Sequence, residues 1–204
     1  MHKLLLDLPT SFETERLILR SYRAGDGPMY HAMSQKNKSH LARYEPHNAV
    51  MAIATEDEAE IVVRDFAALW VARMAFYLGA FRHDTHEFVA QVFIGAVSWE
   101  LPEFQIGYFV NKEYEGQGYV TEATRGALRF IFEHLGARRV SLNCDDTNLR
   151  SYRVAERCGM TREGHARENK KSMDGTFTGT YHYGLLRSEY EAQTASGPAG
   201  GNTG

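Results

Sequence analysis

The residues best placed to do chemistry are in the run Glu115-Gly116-Gln117-Gly118-Tyr119-Val120-Thr121-Glu122-Ala123. There a glycine-bearing loop joins a strand-like segment, Ile106-Gly107-Tyr108-Phe109-Val110, to a segment with helical periodicity. Glycine reaches backbone conformations closed to residues with a Cβ. The first turn of a helix leaves four N–H groups without intrahelical partners and carries the positive end of the helix dipole. Together these features make a cradle for an anion, with a pyrophosphate as the natural occupant. No Gly-Lys-Ser/Thr follows as in a P-loop, and no third glycine stands at the dinucleotide-binding spacing. The same glycines would also serve a plain strand-to-helix turn, so the loop by itself leaves the choice open.

A second block narrows it: Asn148-Leu149-Arg150-Ser151-Tyr152-Arg153-Val154-Ala155-Glu156-Arg157-Cys158-Gly159-Met160-Thr161-Arg162-Glu163-Gly164. In this order and spacing the two blocks resemble the GNAT superfamily of acyl-CoA-dependent N-acyltransferases, the first its pyrophosphate motif A and the second its motif B. Three further segments are similar to the Rim-type branch, which acetylates the N-termini of ribosomal proteins. Glu13-Thr14-Glu15-Arg16-Leu17-Ile18-Leu19-Arg20 resembles that branch's opening TERLxLR strand, and Ile106-Gly107-Tyr108 its IGY. Asn148-x-x-Ser151 with Gly159 and Glu163-Gly164 resembles its NxxS…GF…EG, with Met160 in place of the usual Phe, a volume-tolerant change. The resemblance spans residues 13 to 187. One departure stands out: Glu113 occupies the first position of the pattern Gln/Arg-x-x-Gly-x-Gly/Ala. A carboxylate cannot donate to a phosphate, so capture of the pyrophosphate is expected to rest on the main-chain N–H groups of Gly116, Gln117, Gly118, Tyr119, Val120 and Thr121.

The resemblance implies an α+β GNAT fold, a mixed and mostly antiparallel sheet of about seven strands flanked by about four helices. In that fold the fourth and fifth strands splay apart at a bulge, and the pantetheine arm of CoA pairs with exposed backbone of the fourth, here Tyr108, Phe109 and Val110. Gly107 is the candidate for the bulge, since a glycine inside a strand pattern often marks one. Acetyl-CoA is the implied co-substrate and a primary amine the acceptor, foremost an N-terminal α-amine of a ribosomal or other protein. A small amine is the alternative acceptor, and a CoA-binding sensor without turnover is the reading from another class.

Acyl transfer from a thioester to an amine needs a neutral amine, a donor for the tetrahedral oxyanion and a proton for the departing thiolate. A main-chain N–H near Tyr108 to Val110 is the expected oxyanion donor, and such donors are worth roughly 3 kcal/mol each. The resemblance places a serine or tyrosine of motif B beside the CoA sulfur, which points to Ser151, with Tyr152 as alternate. Asn148 is a helix cap that could also touch the pantetheine amides. The branch draws its base from the strand after motif B, where Glu168 is nearest. Glu163, a water chain and the more remote Glu100 are the alternatives, and either strand carboxylate could instead be a solvated side chain.

These residues need a scaffold to hold them. Thr14 to Ser21 reads as a strand, and Gly25-Asp26-Gly27-Pro28 opens a short helix with Met29, Tyr30 and Met33 on one face. Thr55-Glu56-Asp57-Glu58 is a capping box, followed by Ala59, Val62, Val63, Phe66, Leu69 and Trp70 at helical spacing. Strands are expected over 75–81, 88–99 and 104–110, then a helix from about Gln117 to Leu135 that stops at Gly136. A strand over 140–144, a helix from Asn148 to Gly159, and a hairpin of 160–171 and 177–186 turning at Asp174-Gly175 complete the pattern. Leu41-Ala42-Arg43-Tyr44-Glu45-Pro46 reads as a loop, where the resemblance puts the acceptor pocket.

Composition bounds the rest. At 204 residues with 43% hydrophobic and 24% charged residues the chain suits one folded domain, taken as 1–191, with a Gly- and Ser-rich disordered tail over 192–204. A net charge of -3 provides no field for nucleic acid, although Arg138-Arg139 and Arg150, Arg153 and Arg157 could meet CoA phosphates. No apolar run suits a membrane span or a signal peptide, so a cytoplasmic protein is expected, with a homodimer as an open option. Cys144 and Cys158 read as small core residues, and His83-Asp84-Thr85-His86 as a hydrated turn rather than a metal site.

Overall fold

The computed structural model describes residues 2–171 and 175–195, and among them eight strands form one sheet accompanied by five α-helices. The chain runs β1 (Ser11–Glu13), β2 (Leu17–Ser21), α1 (Gly27–Leu41), α2 (Glu56–Val71), β3 (Ala75–Arg82), β4 (Phe88–Ser98) and β5 (Glu103–Val110). It continues through α3 (Tyr119–Glu133), β6 (Arg139–Asp145), α4 (Leu149–Arg157), β7 (Thr161–Lys171), β8 (Phe177–Leu186) and α5 (Arg187–Ala195). The sheet order is β1-β2-β3-β4-β5-β6-β8-β7, antiparallel except for β5 beside β6. That pair is parallel because α3 crosses over between them. The expected fourth and fifth strands are thus β5 and β6, displaced by one number because the three-residue β1 was not expected.

Strand alternation sends side chains to two cores. Phe76, Leu78 and Ala80 of β3, Ala90, Val92 and Ile94 of β4, and Phe104 and Ile106 of β5 pack with the buried face of α3, including Ala123, Ala127 and Ile131. Phe81, Phe88 and Phe109 join a separate cluster under α1 and α2 with Tyr22, Tyr30 and Phe66. The two-residue period decides that Tyr108 faces the α3 side and Phe109 the α1 side. Helix α2 starts at the expected capping box, in which the Glu58 N–H donates to Thr55 Oγ1 and the Glu58 carboxylate accepts from the Thr55 N–H.

Three expectations need correction. Helix α1 is not short: it runs 15 residues and buries Ser34 and Asn37 together with Tyr30, Met33 and Leu41. Counting only apolar residues hid that stripe. Asn37 is satisfied inside the core, donating to the Met33 carbonyl at 2.9 Å and to Asn111 Oδ1 at 3.1 Å, while its own Oδ1 accepts from the Lys112 N–H at 2.9 Å. The tail does not begin at 192, since α5, whose Tyr190 stacks on Phe132 at 4.5 Å, continues through residues 192–195. Residues 196–204 and Asp174 of the expected turn lie outside the described residues. Finally, Gly107 is no bulge. The β4–β5 ladder runs unbroken from Phe104 to Val110, and the irregularities fall at Ala80/Phe81, Ala96/Ser98, Arg162/Gly164 and Ala166/Lys170. No helix among the described residues is long and apolar enough to cross a membrane.

Candidate active site

The opening in the sheet arises without a bulge. Strands β5 and β6 pair at only three positions, Glu103–Arg139, Phe104–Val140 and Gln105–Ser141. Beyond them β5 stays with β4 as far as Val110, while β6 follows β8 along its whole length to Asp145. The side of β5 from Ile106 onward therefore has no strand beside it, and its backbone groups are available to a ligand in the wedge.

The glycine loop sits at one end of that wedge. Gly116 has φ 74° and Gly118 φ 80°, both left-handed, and nothing lies within 4 Å of where a Cβ on Gly116 would stand. Gly118 is the N-cap of α3 and provides no side-chain cap, so the N–H groups of the first turn point out unclaimed by any capping side chain. Glu113 is turned away, exposed beside Lys36 at 3.3 Å. The Gln117 side chain folds back onto the Glu113 carbonyl at 3.2 Å, and Tyr119 is buried beneath the Arg16 guanidinium at 4.4 Å, so these two residues face the loop with their backbone only.

Glu122, in the first turn of α3, latches this loop to the start of β2. One carboxylate oxygen accepts from Thr14 Oγ1 at 2.6 Å and from the Arg16 N–H at 2.7 Å, and the other accepts from Arg16 Nε at 2.6 Å. Arg16 Nη1 in turn donates to the Gln117 carbonyl at 3.2 Å. Burial pushes the Glu122 carboxyl up, but these hydrogen bonds and the charge of Arg16 outweigh it and hold the group below the usual carboxylate range. The Thr-Glu-Arg of the opening strand and the Thr-Glu-Ala after the glycine loop are thus two halves of one contact.

A groove of about 330 Å³ runs from the loop along β5. Tyr108, Phe109 and Val110 line one wall; Gly116, Gly118, Val120 and Thr121 line the end at the glycine loop; Asn148 and Ser151 of the α4 start line the other wall. Arg150, Arg153 and Arg157 border it as well, with Arg150 held by Glu115. An adjoining cleft shares Gly118, Thr121 and Arg157 and adds Arg16 and Arg125 together with Glu15 and Glu122, the last paired with Arg16. The cradle is therefore ringed by guanidinium groups that suit a phosphate-bearing ligand.

Asn148 caps α4, its Oδ1 accepting from the Ser151 N–H at 3.1 Å. Tyr108 donates its hydroxyl to the Ser151 carbonyl at 2.8 Å, which ties β5 to α4 across the wedge. Burial raises the Tyr108 phenol far above its ordinary range, so it stays protonated. The Ser151 side chain faces both the groove and the Cys144 thiol, which burial pushes up to about 11. Cys158 is likewise pushed up to about 12 by burial, and neither thiol is a ready nucleophile. Tyr152, the alternate acid, does not line the groove and packs edge-on against Tyr181 at 5.7 Å.

The carboxylates sort differently from the sequence reading. Glu168 does not line the groove: it is exposed, with φ 51°, where the β7–β8 register breaks between Ala166 and Lys170. Glu163 forms a two-pronged ion pair with Arg139 that holds its carboxyl below the ordinary range, and Glu100 lies in the turn after β4, outside the groove. The carboxylates that do line it are Glu115, paired with Arg150 and 3.3 Å from His40, and Glu45. Glu45 belongs to the 41–46 loop after α1, which Tyr44 fastens to the opposite wall by donating its hydroxyl to the Thr147 carbonyl at 3.3 Å. Loss of hydration raises the Glu45 carboxyl, partly offset by the charge of Lys170 and a hydrogen bond from Asn48. No periodicity or spacing singles Glu45 out in the sequence. At the His83–His86 turn, His83 meets the Thr14 carbonyl at 3.2 Å and Asp84 is held by Arg82.

Comparison with known proteins agrees with this geometry. The family described as "Acetyltransferase (GNAT) domain" matches residues 16–161. YdaF of Bacillus subtilis (strain 168) is 36% identical over 89 residues, 44% of this chain and 48% of that protein. The chain thus spans about half the length of the first curated relatives it matches, YnaD of the same organism being covered to 51%. The [ribosomal protein uS5]-alanine N-acetyltransferase of Escherichia coli (strain K12) is 25% identical over 167 residues, 76% of this chain and 80% of the enzyme. Among solved structures, Mycobacterium smegmatis RimJ, crystallised with a CoA disulfide, superimposes with a TM-score of 0.78 at 19% identity, covering 97% of this chain and 98% of that one, a likeness of fold. With the family match extending from the Arg16 latch through the glycine loop and α4 to the start of β7, the chain belongs to the GNAT acetyltransferase domain family.

Proposed function

We propose that the protein is an acetyl-CoA-dependent N-acetyltransferase that transfers the acetyl group directly to a primary amine, foremost the α-amine of a protein N-terminus. The observation that carries this reading is the wedge: a β5 edge from Ile106 to Val110 with no strand on its β6 side, an uncapped glycine-led helix start at one end, and the α4 start with Ser151 along the other wall. The N–H groups from Gly116 to Thr121 and the adjoining arginines hold the CoA pyrophosphate, and β5 backbone pairs with the pantetheine amides. A main-chain N–H between Tyr108 and Val110 stabilises the oxyanion as the amine adds. Ser151 protonates the departing thiolate. Tyr108 contributes its backbone and, through its hydroxyl, the position of Ser151. The ribosomal-protein acceptors named for the Escherichia coli relative make N-terminal peptides the first acceptors to try.

The test measures thiol release from acetyl-CoA and succinyl-CoA against N-terminal peptides and small amines. Turnover with peptides bearing a free α-amine, and none with α-blocked peptides or small amines, is the expected result. Binding of CoA with no thioester consumption by any amine would overturn it.

A further inference from the structure

We propose that Glu45 is the group that receives the acceptor amine and takes its proton, a role that rests on the acetyltransferase reading above. The argument starts from which carboxylates can reach a substrate in the wedge. Glu168, Glu163 and Glu100 do not line it, and Glu115 does so with its charge already engaged by Arg150 and His40. Glu45 lines the same groove as Ser151 and the β5 edge and has no ion pair within 4 Å among the described residues. It stands in the loop that Tyr44 holds to the α4 side at Thr147, so it is supported from both walls. The side chain stays open to solvent at the mouth of the groove, which is where a polymer end must enter.

Several charged groups surround it. Lys170 reaches toward it from β7, His40 lines the groove from α1, Arg43 and His47 flank it in its own loop, and Glu115, Arg150 and Arg153 lie further along the groove. Partial loss of hydration makes this carboxyl a stronger base than one in open water, and burial outweighs the opposing charge of Lys170. An incoming ammonium finds a carboxylate that takes a hydrogen bond from Asn48 but has no ion-pair partner among the described residues, which favours cationic amines over neutral or acylated ends.

The proton balance is simple. Glu45 takes one proton from the ammonium, and the freed amine forms the N–C bond to the acetyl carbonyl. The C–S bond then breaks with its electron pair going to sulfur. The second nitrogen proton leaves the adduct and replaces the one that Ser151 gives to the thiolate. The products are the amide, the free thiol of CoA and one proton, which Glu45 returns to water.

The test compares full-length wild type with Glu45→Gln, Glu45→Asp and Glu168→Gln, using acetyl-CoA and the peptide the wild type acetylates best. Glu45→Gln should lower kcat/KM by 100-fold or more, within the range of a positioned acid or base. Its ascending pH limb should move to higher pH, because the ammonium must then lose its proton to bulk water. CoA affinity by calorimetry should stay within twofold, Glu45→Asp should recover part of the rate, and Glu168→Gln should match wild type. The melting temperature of Glu45→Gln should not fall, since a neutral amide is not penalised by partial burial. A loss under tenfold, or one matched by loss of CoA binding or of fold, overturns the role. A wild type that consumes no acetyl-CoA with any amine overturns the enzyme reading and the role of Glu45 together, whereas turnover equal in wild type and Glu45→Gln overturns Glu45 alone.

Discussion

The Glu122 latch lends itself to a worked test, Glu122→Gln. The amide keeps one oxygen for Thr14 Oγ1 and the Arg16 N–H, but it presents an NH₂ to Arg16 Nε where the carboxylate accepted at 2.6 Å. One charge-assisted hydrogen bond is lost, worth roughly 1.5–3 kcal/mol, and a donor is set against a donor. The Arg16 side chain is 43% exposed, so water recovers part of that, and about 2 kcal/mol is the working figure. For a chain of this length that lowers the melting temperature by roughly 4–8 °C at neutral pH. The pH dependence follows from the depressed carboxyl of the folded state. Its stabilisation is complete above the unfolded value, about 4.3, and is lost as pH falls through the lower folded value. The gap between variant and wild type should therefore be full at pH 7 and close on acidification below about pH 4. Melts by circular dichroism at several pH values measure it. A shift under about 1 °C at pH 7, or a gap that does not narrow at all on acidification, would refute the latch.

Gly118→Val forces a β-branched residue into φ 80°, where even an unbranched residue pays roughly 1–2 kcal/mol, although the nearest atom to the new Cβ is Arg16 Nη2 at an ordinary 3.5 Å. CoA affinity by calorimetry should drop more than tenfold while Glu113→Ala leaves it unchanged; equal affinity in the glycine variant would discard the cradle. Ser151→Ala should lower kcat by roughly 10–1000-fold with KM for acetyl-CoA nearly constant and the melt little altered, because Asn148 caps the Ser151 backbone rather than its hydroxyl. A wild-type rate would remove the serine. Asn37→Leu should cost roughly 1–3 kcal/mol by stranding the buried Asn111 amide and the Lys112 N–H, read as a lower denaturation midpoint with an unchanged slope.

The local elements were legible because each has a short-range cause. The Thr55 capping box starts α2, Asn148 caps α4, and the two glycines are required by left-handed φ values just before α3. Alternation in β3 to β5 shows as apolar runs, and the motif pair pointed to the family by resemblance. The α1 stripe was illegible past Met33 because its buried Ser34 and Asn37 look like surface residues until their partners are known. Strand β1 is three residues long, too short for any period to declare itself.

What the sequence by itself determined is the cradle and the order of the elements around it, since glycine conformations, caps and strand periods are set by neighbours within a few residues. The tertiary structure alone decided where the wedge opens and which acids line it. The splay depends on β6 choosing β8 over β5 after three shared positions, a competition between partners more than 30 residues apart in the chain. Glu163 and Glu168 stand in the expected strand, yet Arg139 and a break in register hold them away from the groove, while Glu45, from a loop with no pattern of its own, is carried in by the end of α1 and the Tyr44–Thr147 contact. A carboxylate's chemistry depends on its burial and partners, and those are properties of the folded chain.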